Sequence, residues 1–333
     1  MIRCGNWPAN SRFTMAMPGP INLSVIIVTR NTCDLVCAAV RSVFESRDSL
    51  SKEVVVVDNG SSDRTAERLA AELPGAKCLR SEKNLGFAGA NNLGARGAEG
   101  EFLLLLNSDA RLKPESLALA VEWMRRHAEC GVAGAQLLNP DGSRQNSIAN
   151  APTLATELLN KSLLRRLFPR RYPGKEHACA EPLEVESVVG AFMLVRASVW
   201  KELGGLDERY FFFLEETDFC AQARRRGWKV FHLPQVQVWH EQGKSAGQFG
   251  AAARVEYWRS RYLYFRKNSN CGVRMALRAG LSLRLAADWL ASALLSGLTF
   301  GRSTRWRNRH RLNTTLWRWH LRGQPLEMGL PRA

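Results

Sequence analysis

Leu23-Ser-Val-Ile-Ile-Val-Thr29 is an aliphatic, largely β-branched run that stops abruptly at the polar Arg30-Asn31-Thr32. Such continuous apolar runs suit a strand covered on both faces, as in a parallel sheet. The pattern recurs downstream. Asp34 to Ser46 sets Leu35, Ala38, Ala39 and Val43 at helical spacing, and Glu53-Val-Val-Val-Val57 then runs into Asp58-Asn-Gly-Ser-Ser-Asp63. Thr65 to Leu73 reads as a short amphipathic helix stopped by Pro74-Gly75, and Ala88 to Arg96 as another. Glu101-Phe-Leu-Leu-Leu-Leu106 is a third buried run, ending at Asn107-Ser-Asp-Ala110. Pro114 suits the first turn of a helix over Glu115 to His127. This alternation predicts an α/β fold with a mostly parallel central sheet flanked by helices.

The signal weakens from Gly131 to Pro182. There Asn139-Pro-Asp-Gly142 is turn chemistry, and the basic stretch Leu163 to Tyr172 reads as a mobile loop. A strand is expected over Val185 to Arg196. It is followed by Gly204-Gly205, the aromatic cluster Tyr210-Phe-Phe-Phe213, the acidic run Glu215-Glu-Thr-Asp218, a helix through Arg226 and a short strand around Val236 to His240.

Composition narrows the class. The chain has 333 residues, 45% hydrophobic and 23% charged, ordinary globular proportions that disfavour wholesale disorder or a predominantly membrane-embedded chain. Its eight cysteines are scattered without a C-x-x-C, which fits a reducing cytosol better than a disulfide framework. Residues 1–20 read as a disordered leader without a signal-peptide apolar run, with Met15 and Met17 as alternative starts.

The net charge is +16, and fifteen Lys/Arg against two acids between Arg254 and Arg322 place +13 of it in the last quarter. Residues 251–333 are therefore expected to form a basic, amphipathic helical region beside an α/β domain over 21–250. From Val273 to Phe300, Arg274, Arg278, Arg284, Asp288, Ser292 and Ser296 share one side of a helix, and Leu, Ala, Met and Trp share the other. Two placements fit: an interfacial helix on an anionic membrane, or a helix packed on the core with its polar side in water. The charge-free part, Trp289 to Gly301, is shorter than the roughly 20 residues of a spanning helix. Arg302 to Arg311 and three tryptophans favour the membrane surface.

In an open parallel sheet, ligands bind beyond the carboxyl ends of the strands. Thr29-Arg30-Asn31, Asp58-Asn59 and Asn107-Ser108-Asp109 all fall there. The first two clusters offer groups that can read a base edge and ribose hydroxyls. The third offers oxygen ligands suited to Mg²⁺ or Mn²⁺ holding a diphosphate. The Gly86-Phe-Ala-Gly89 stretch matches no dinucleotide-binding or P-loop pattern, and its glycines read first as a turn before a packed helix, with Asn84 and Asn91 as candidate ligand contacts. A carboxylate of the Glu215–Asp218 run could deprotonate an incoming hydroxyl, although such acids can also be helix-start charges. His240, in a polar, glycine-containing loop, is a candidate ligand.

With these residues assembled, the chain resembles the family 2 glycosyltransferases, in their bacterial rhamnosyltransferase-like branch. The resemblance rests on residues 24–31, 56–63, 84–92, 105–109, 189–196, 204–208, 212–220 and 239–240, in the family's order. It implies a GT-A fold and an inverting, metal-dependent transfer from a nucleotide-sugar. By it Asp58 binds base or ribose, Asp109 and His240 bind the metal, and Glu216 is the catalytic base. Gly190, Ala191, Glu215 and Asp218 fall on the sugar and acceptor side. Asn107 stands where many members have Asp, and Glu216 where Asp is usual. The expected acceptor is a lipid-linked or polysaccharide glycan of the cell envelope, met by a cytoplasmic enzyme at the inner face of the membrane. Two other readings stand against this one. Nucleic-acid binding by the basic region leaves the acids of the sheet rim unexplained, and a silent relative would bind nucleotide-sugar without turnover.

Overall fold

The structure is a computed structural model that describes residues 20–169, 171–172, 179–241 and 250–332. The proposed leader, apart from Pro20, and the Gly243 to Ser245 loop lie outside the described residues. The first half runs β1 (Leu23–Thr29), α1 (Cys33–Phe44), β2 (Lys52–Asn59), α2 (Thr65–Glu72), β3 (Ala76–Ser81), α3 (Gly86–Ala95), β4 (Phe102–Asn107), β5 (Ala110–Leu112), α4 (Ser116–Arg126) and β6 (Cys130–Leu138). Then come β7 (Ile148–Ala149), α5 (Leu154–Leu158), α6 (Lys161–Leu167), β8 (Leu183–Glu184), β9 (Ser187–Val188), β10 (Phe192–Arg196), α7 (Ala197–Leu203), α8 (Glu215–Arg225) and β11 (Lys229–His240). Three long helices close the chain: α9 (Gly250–Asn268), α10 (Cys271–Leu298) and α11 (Thr304–Leu321).

The main sheet has the order β3-β2-β1-β4-β10-β6-β11-β5, with β8 also on β11. β3, β2, β1 and β4 are parallel, β10 is antiparallel to both its neighbours, and β11 is parallel to β6. Strand register positions the chemistry. Thr29 lies beside Asp58 and Val28 beside Asn107, so the three polar strand ends form one rim.

Because the runs are apolar at every position, both faces of the sheet are buried. Val25 and Ile27 belong to the core covered by α1 and α4 on one side; Ile26 packs on α3 in the core that α7 and α8 complete on the other. A third core joins Tyr210 to Val255, Tyr264 and Phe265 of α9, Leu277 and Leu281 of α10, and Trp319 of α11. Residues beyond 250 are thus built onto the α/β part.

Several expectations need correction. β3, with its partly exposed Ala76-Lys-Cys-Leu-Arg-Ser81, lacks a continuous apolar run, and the fully buried β6 falls where the sequence signal weakened. The strand expected over Val185 to Arg196 breaks at Gly190–Ala191 into β9 and β10, and the final strand extends back to Lys229. Within the stretch read as a loop, Lys161–Leu167 is helical because Asn160 caps it, accepting from the backbone N–H groups of Ser162 and Leu163.

The largest surprise is the orientation of α10. Its polar side faces the protein: Arg284 donates to the Glu157 carbonyl (3.3 Å), Asp288 pairs with Arg309 (2.9 Å), and Ser292 is buried against Asn313. The outward side carries Met275, Leu283, Leu290, Leu294 and Leu298, each more than 60% exposed. The inward side is mixed, with Leu277, Leu281 and Leu285 buried in the third core among these polar contacts, and the outward side is a second apolar surface left unpartnered among the described residues.

Candidate active site

A pocket opens at the rim, lined by Thr29, Arg30, Asn31, Asn59, Asn84, Gly86, Asn107 and Ser108 together with Phe211, Phe212, Leu330 and Pro331. The rim is pre-organised by its own hydrogen bonds. Thr29 and Thr32 hydroxyls meet at 2.8 Å, and Thr32 donates on to Ser108 at 3.2 Å. Asn31, held at φ 53°, accepts from the Ser62 amide at 2.7 Å. Asn59 donates to the Asn84 side chain and the Gly86 carbonyl and accepts from the Leu85 amide, so it braces the loop opposite. Arg30 differs: its buried Nε has no hydrogen-bond partner among the described residues. A guanidinium N–H left unsatisfied at a pocket wall suits an anionic ligand.

Not every proposed contact reaches this pocket. The Asp58 carboxylate lies behind the rim, accepting from the Ser61 amide at 2.9 Å, with Arg80 at 3.9 Å. Asn91 is buried in α3 and donates to the Phe87 carbonyl. Gly86 has a firm structural reason: at φ 73°, any β-carbon would overlap the Phe211 carbonyl, which the Phe87 amide approaches at 2.8 Å.

At the end of β4, Asp109 is buried, and its Oδ1 lies 3.4 Å from Nε2 of His240. Gln145 sets the imidazole. Its amide N–H groups donate to the His240 and Asn139 oxygens, which leaves its Oε1 to accept from His240 Nδ1 at 2.9 Å. Nε2 is then the nitrogen left to face Asp109 and any cation, the usual arrangement for a metal-ligating histidine. No third His, Cys, Asp or Glu joins them in a metal-binding group among the described residues. Two protein ligands plus substrate phosphate oxygens suit Mg²⁺ or Mn²⁺, so the pair fits a metal carried with its substrate.

A second pocket adjoins the first across the loop Tyr210–Leu214. It is lined by Glu216 and Thr217 of α8, Asn146, Ile148 and Asn150, Tyr257 of α9, and residues of α5 and α6. The dividing loop is strained: Phe213 and Leu214 adopt φ 76° and 69°, costing about 1–3 kcal/mol each for bulky residues. Ser260 Oγ donates to the Phe212 carbonyl at 2.9 Å, and Tyr257 stacks edge-on against Phe213 at 5.7 Å, so α9 holds the strain in place.

Glu216 is partly accessible from this pocket, yet burial of the carboxylate raises its pKa to about 7. Adjacent Glu215 is fully enclosed and pushed well above the usual range by burial and by Glu216; its Oε2 has no hydrogen-bond partner among the described residues. Gly190 leaves open the space beside Glu216, whose Cγ lies 3.6 Å from where a β-carbon would stand. Ala191 then ties this wall to the rim by accepting the Asn107 amide at 3.1 Å. Asp218 is not part of the pocket: it is buried against Lys267 (2.5 Å), Asn268 and Tyr210. Sequence reading missed Gln145, Tyr257, Ser260 and Leu330–Pro331, all brought in by long-range packing.

Residues 24–204 match the family described as Glycosyl transferase family 2. An N-acetylglucosaminyl-diphospho-decaprenol L-rhamnosyltransferase of Mycobacterium tuberculosis is 27% identical over 250 residues, covering 69% of this chain and 81% of its own. The low-salt glycan biosynthesis hexosyltransferase Agl10 of Haloferax volcanii is 28% identical over 248 residues, covering 73% and 75%. Among solved structures, GalNAc-T7 with UDP, GalNAc and Mn²⁺ superposes with a TM-score of 0.52 at 18% identity, over 67% of this chain and 44% of that one. That likeness is one of fold, the GT-A arrangement expected from the sequence.

Proposed function

Since the chain belongs to glycosyl transferase family 2 and is a glycosyltransferase, we propose that it moves a sugar, rhamnose or a related deoxysugar, from a nucleotide-sugar to a hydroxyl of a lipid-linked cell-envelope acceptor, with inversion. The deoxysugar and the lipid are suggested by the name of the mycobacterial relative. The observation that carries the mechanism is Glu216, a carboxylate whose pKa of about 7 matches the working range of a general base.

In this reading the nucleotide lies in the rim pocket, with Arg30 against its phosphates. Asp109 and His240 hold Mg²⁺ or Mn²⁺, which when bound neutralises charge on the departing diphosphate. Across the dividing loop, Glu216 takes the proton of the acceptor hydroxyl as that oxygen attacks the anomeric carbon. The carbon–diphosphate bond breaks on the opposite face, so one displacement inverts the centre without a protein nucleophile.

The test is Glu216→Gln assayed with a panel of nucleotide-sugars and Mn²⁺. It should lower transfer by about 10²–10⁴-fold while nucleotide affinity stays within a few-fold. Turnover near wild type would remove Glu216 from this role.

The acceptor reading brings in a membrane. By length and composition α10 could cross a bilayer, but α11 packs alongside it carrying Arg305, Arg307, Arg309, Arg311 and Arg318. Burying that helix in hydrocarbon would be prohibitive, so α10 lies in the interface with its apolar side down. Leu290→Glu/Leu294→Glu should abolish flotation with phosphatidylglycerol vesicles; undiminished flotation would exclude this face.

A further inference from the structure

The pocket in front of Glu216 has a basic wall that proton abstraction does not require. α6 supplies Lys161 and Arg165 to it, and α5 supplies Glu157. Glu157 is buried but already paired with the equally buried Arg261 at 2.9 Å, with Lys161 further off at 3.6 Å. Arg165 makes no ion pair among the described residues. Two cationic side chains therefore line the pocket opposite Glu216, and Arg165 in particular has no carboxylate paired with it among the described residues.

The same short helix is apolar along its exposed edge. Leu163, Leu167 and Phe168 are 52%, 59% and 55% exposed. It is joined through α5 to α10, where Leu158 packs on Gly280 and Arg284 grips the Glu157 carbonyl. Basic groups toward a pocket, apolar groups toward the exterior and a packing link to α10, whose other side is apolar and exposed, together describe a site for a molecule with an anionic head and a hydrocarbon tail.

We propose that Lys161 and Arg165 clamp the diphosphate of a polyisoprenyl-diphosphate-linked acceptor, with its lipid leaving over Leu163, Leu167 and Phe168. The clamp deepens the preceding reading and rests on it only for the direction of the acceptor sugar, toward Glu216. An ammonium and a guanidinium match two linked phosphates, the guanidinium by bidentate hydrogen bonds.

The experiment measures binding to the full chain, without donor, of geranylgeranyl diphosphate, geranylgeraniol and inorganic pyrophosphate in detergent micelles. The diphosphate lipid should bind at least tenfold more tightly than either of the others. Lys161→Gln/Arg165→Gln should lose that margin with an unchanged melting temperature. Leu167→Ser/Phe168→Ser should weaken the diphosphate lipid while sparing pyrophosphate, a readout independent of the basic pair. Equal binding of the alcohol, equal binding of pyrophosphate, or a double glutamine variant that binds like wild type would each overturn the clamp. The two readings fail separately. Clamp-dependent lipid binding without sugar transfer would sink the enzymatic reading alone, whereas transfer to a phosphate-free glycoside with no diphosphate-lipid binding would sink the clamp alone.

Discussion

The two walls of the cleft solve opposite physical problems. On the strand-end rim, Thr29, Asn31, Asn59 and Ser108 hydrogen-bond with neighbouring groups, so the groups proposed to face a nucleotide are fixed in place. On the α8 wall, two adjacent glutamates are held where charge is unfavourable, next to two bulky residues in left-handed backbone. Arg30 apart, the rim gains rigidity from satisfied polar groups, and in the proposed function the unfavourable charge on the α8 wall is what makes Glu216 a base. That division is what a transferase needs: a donor held still and an acceptor proton made removable.

The comparison can be broken most sharply at Gln145, which belongs to the satisfied side. Gln145→Leu removes the acceptor that fixes His240 Nδ1. If His240 and Asp109 hold the cation, Mn²⁺ affinity should fall about 10–100-fold, the usual cost of removing such an outer partner. Paramagnetic resonance titration with Mn²⁺ and nucleotide would check it. Unchanged affinity in a folded variant would separate His240 from the metal and leave the rim as a nucleotide site only.

The α8 wall makes a stability prediction of defined sign. Glu216 has a folded pKa of about 7, above the ordinary 4.5, so its contribution favours folding below about pH 4.5 and is lost as pH rises through 7. Glu216→Gln removes that cost. The variant should therefore match wild type near pH 4.5 and exceed it at pH 8 by an amount on the order of 1–3 kcal/mol. Denaturant unfolding at the two pH values measures this difference. A variant less stable than wild type at pH 8 would mean that Glu216 is a structural acid, not a base held in reserve.

Sequence reading recovered these walls unequally, for a physical reason. The rim is written in contiguous blocks because each strand end and its turn are local. β1, β2 and β4 announce themselves by uninterrupted apolar runs, and register alone brings Thr29, Asp58 and Asn107 together. The other wall is assembled across long separations. Glu216 could be placed by motif, but its environment depends on α9. Tyr257 and Ser260 do not reveal in sequence that they would restrain the loop at Phe212–Phe213. Asp218 shows the limit most clearly: it sits two residues from Glu216, yet the helical turn carries it to Lys267 on the far side. For α10, the periodicity marked an apolar side but not the buried Leu277, Leu281 and Leu285, which share the polar residues' side, and packing against α5, α9 and α11 decides which side faces out.

The smallest expected effect tests whether the chain's last described residues belong to the satisfied wall. Leu330 and Pro331 line the rim pocket, and the Pro331 carbonyl accepts from the Asn84 amide at 2.6 Å. Arg332 anchors them, pairing with the buried Glu256 at 2.8 Å and stacking over Phe211 at 4.3 Å. Arg332→Ala leaves Glu256 its partner Arg259, so no charge is orphaned and the fold should be kept. What is lost is one cation–π contact and one anchoring pair, roughly 0.5–1 kcal/mol, or about a two- to fivefold rise in donor KM. Because the contact lies on the rim, kcat should hold. A fall in kcat with unchanged donor KM would place Arg332 with the strained loop instead, coupling the two walls through Phe211.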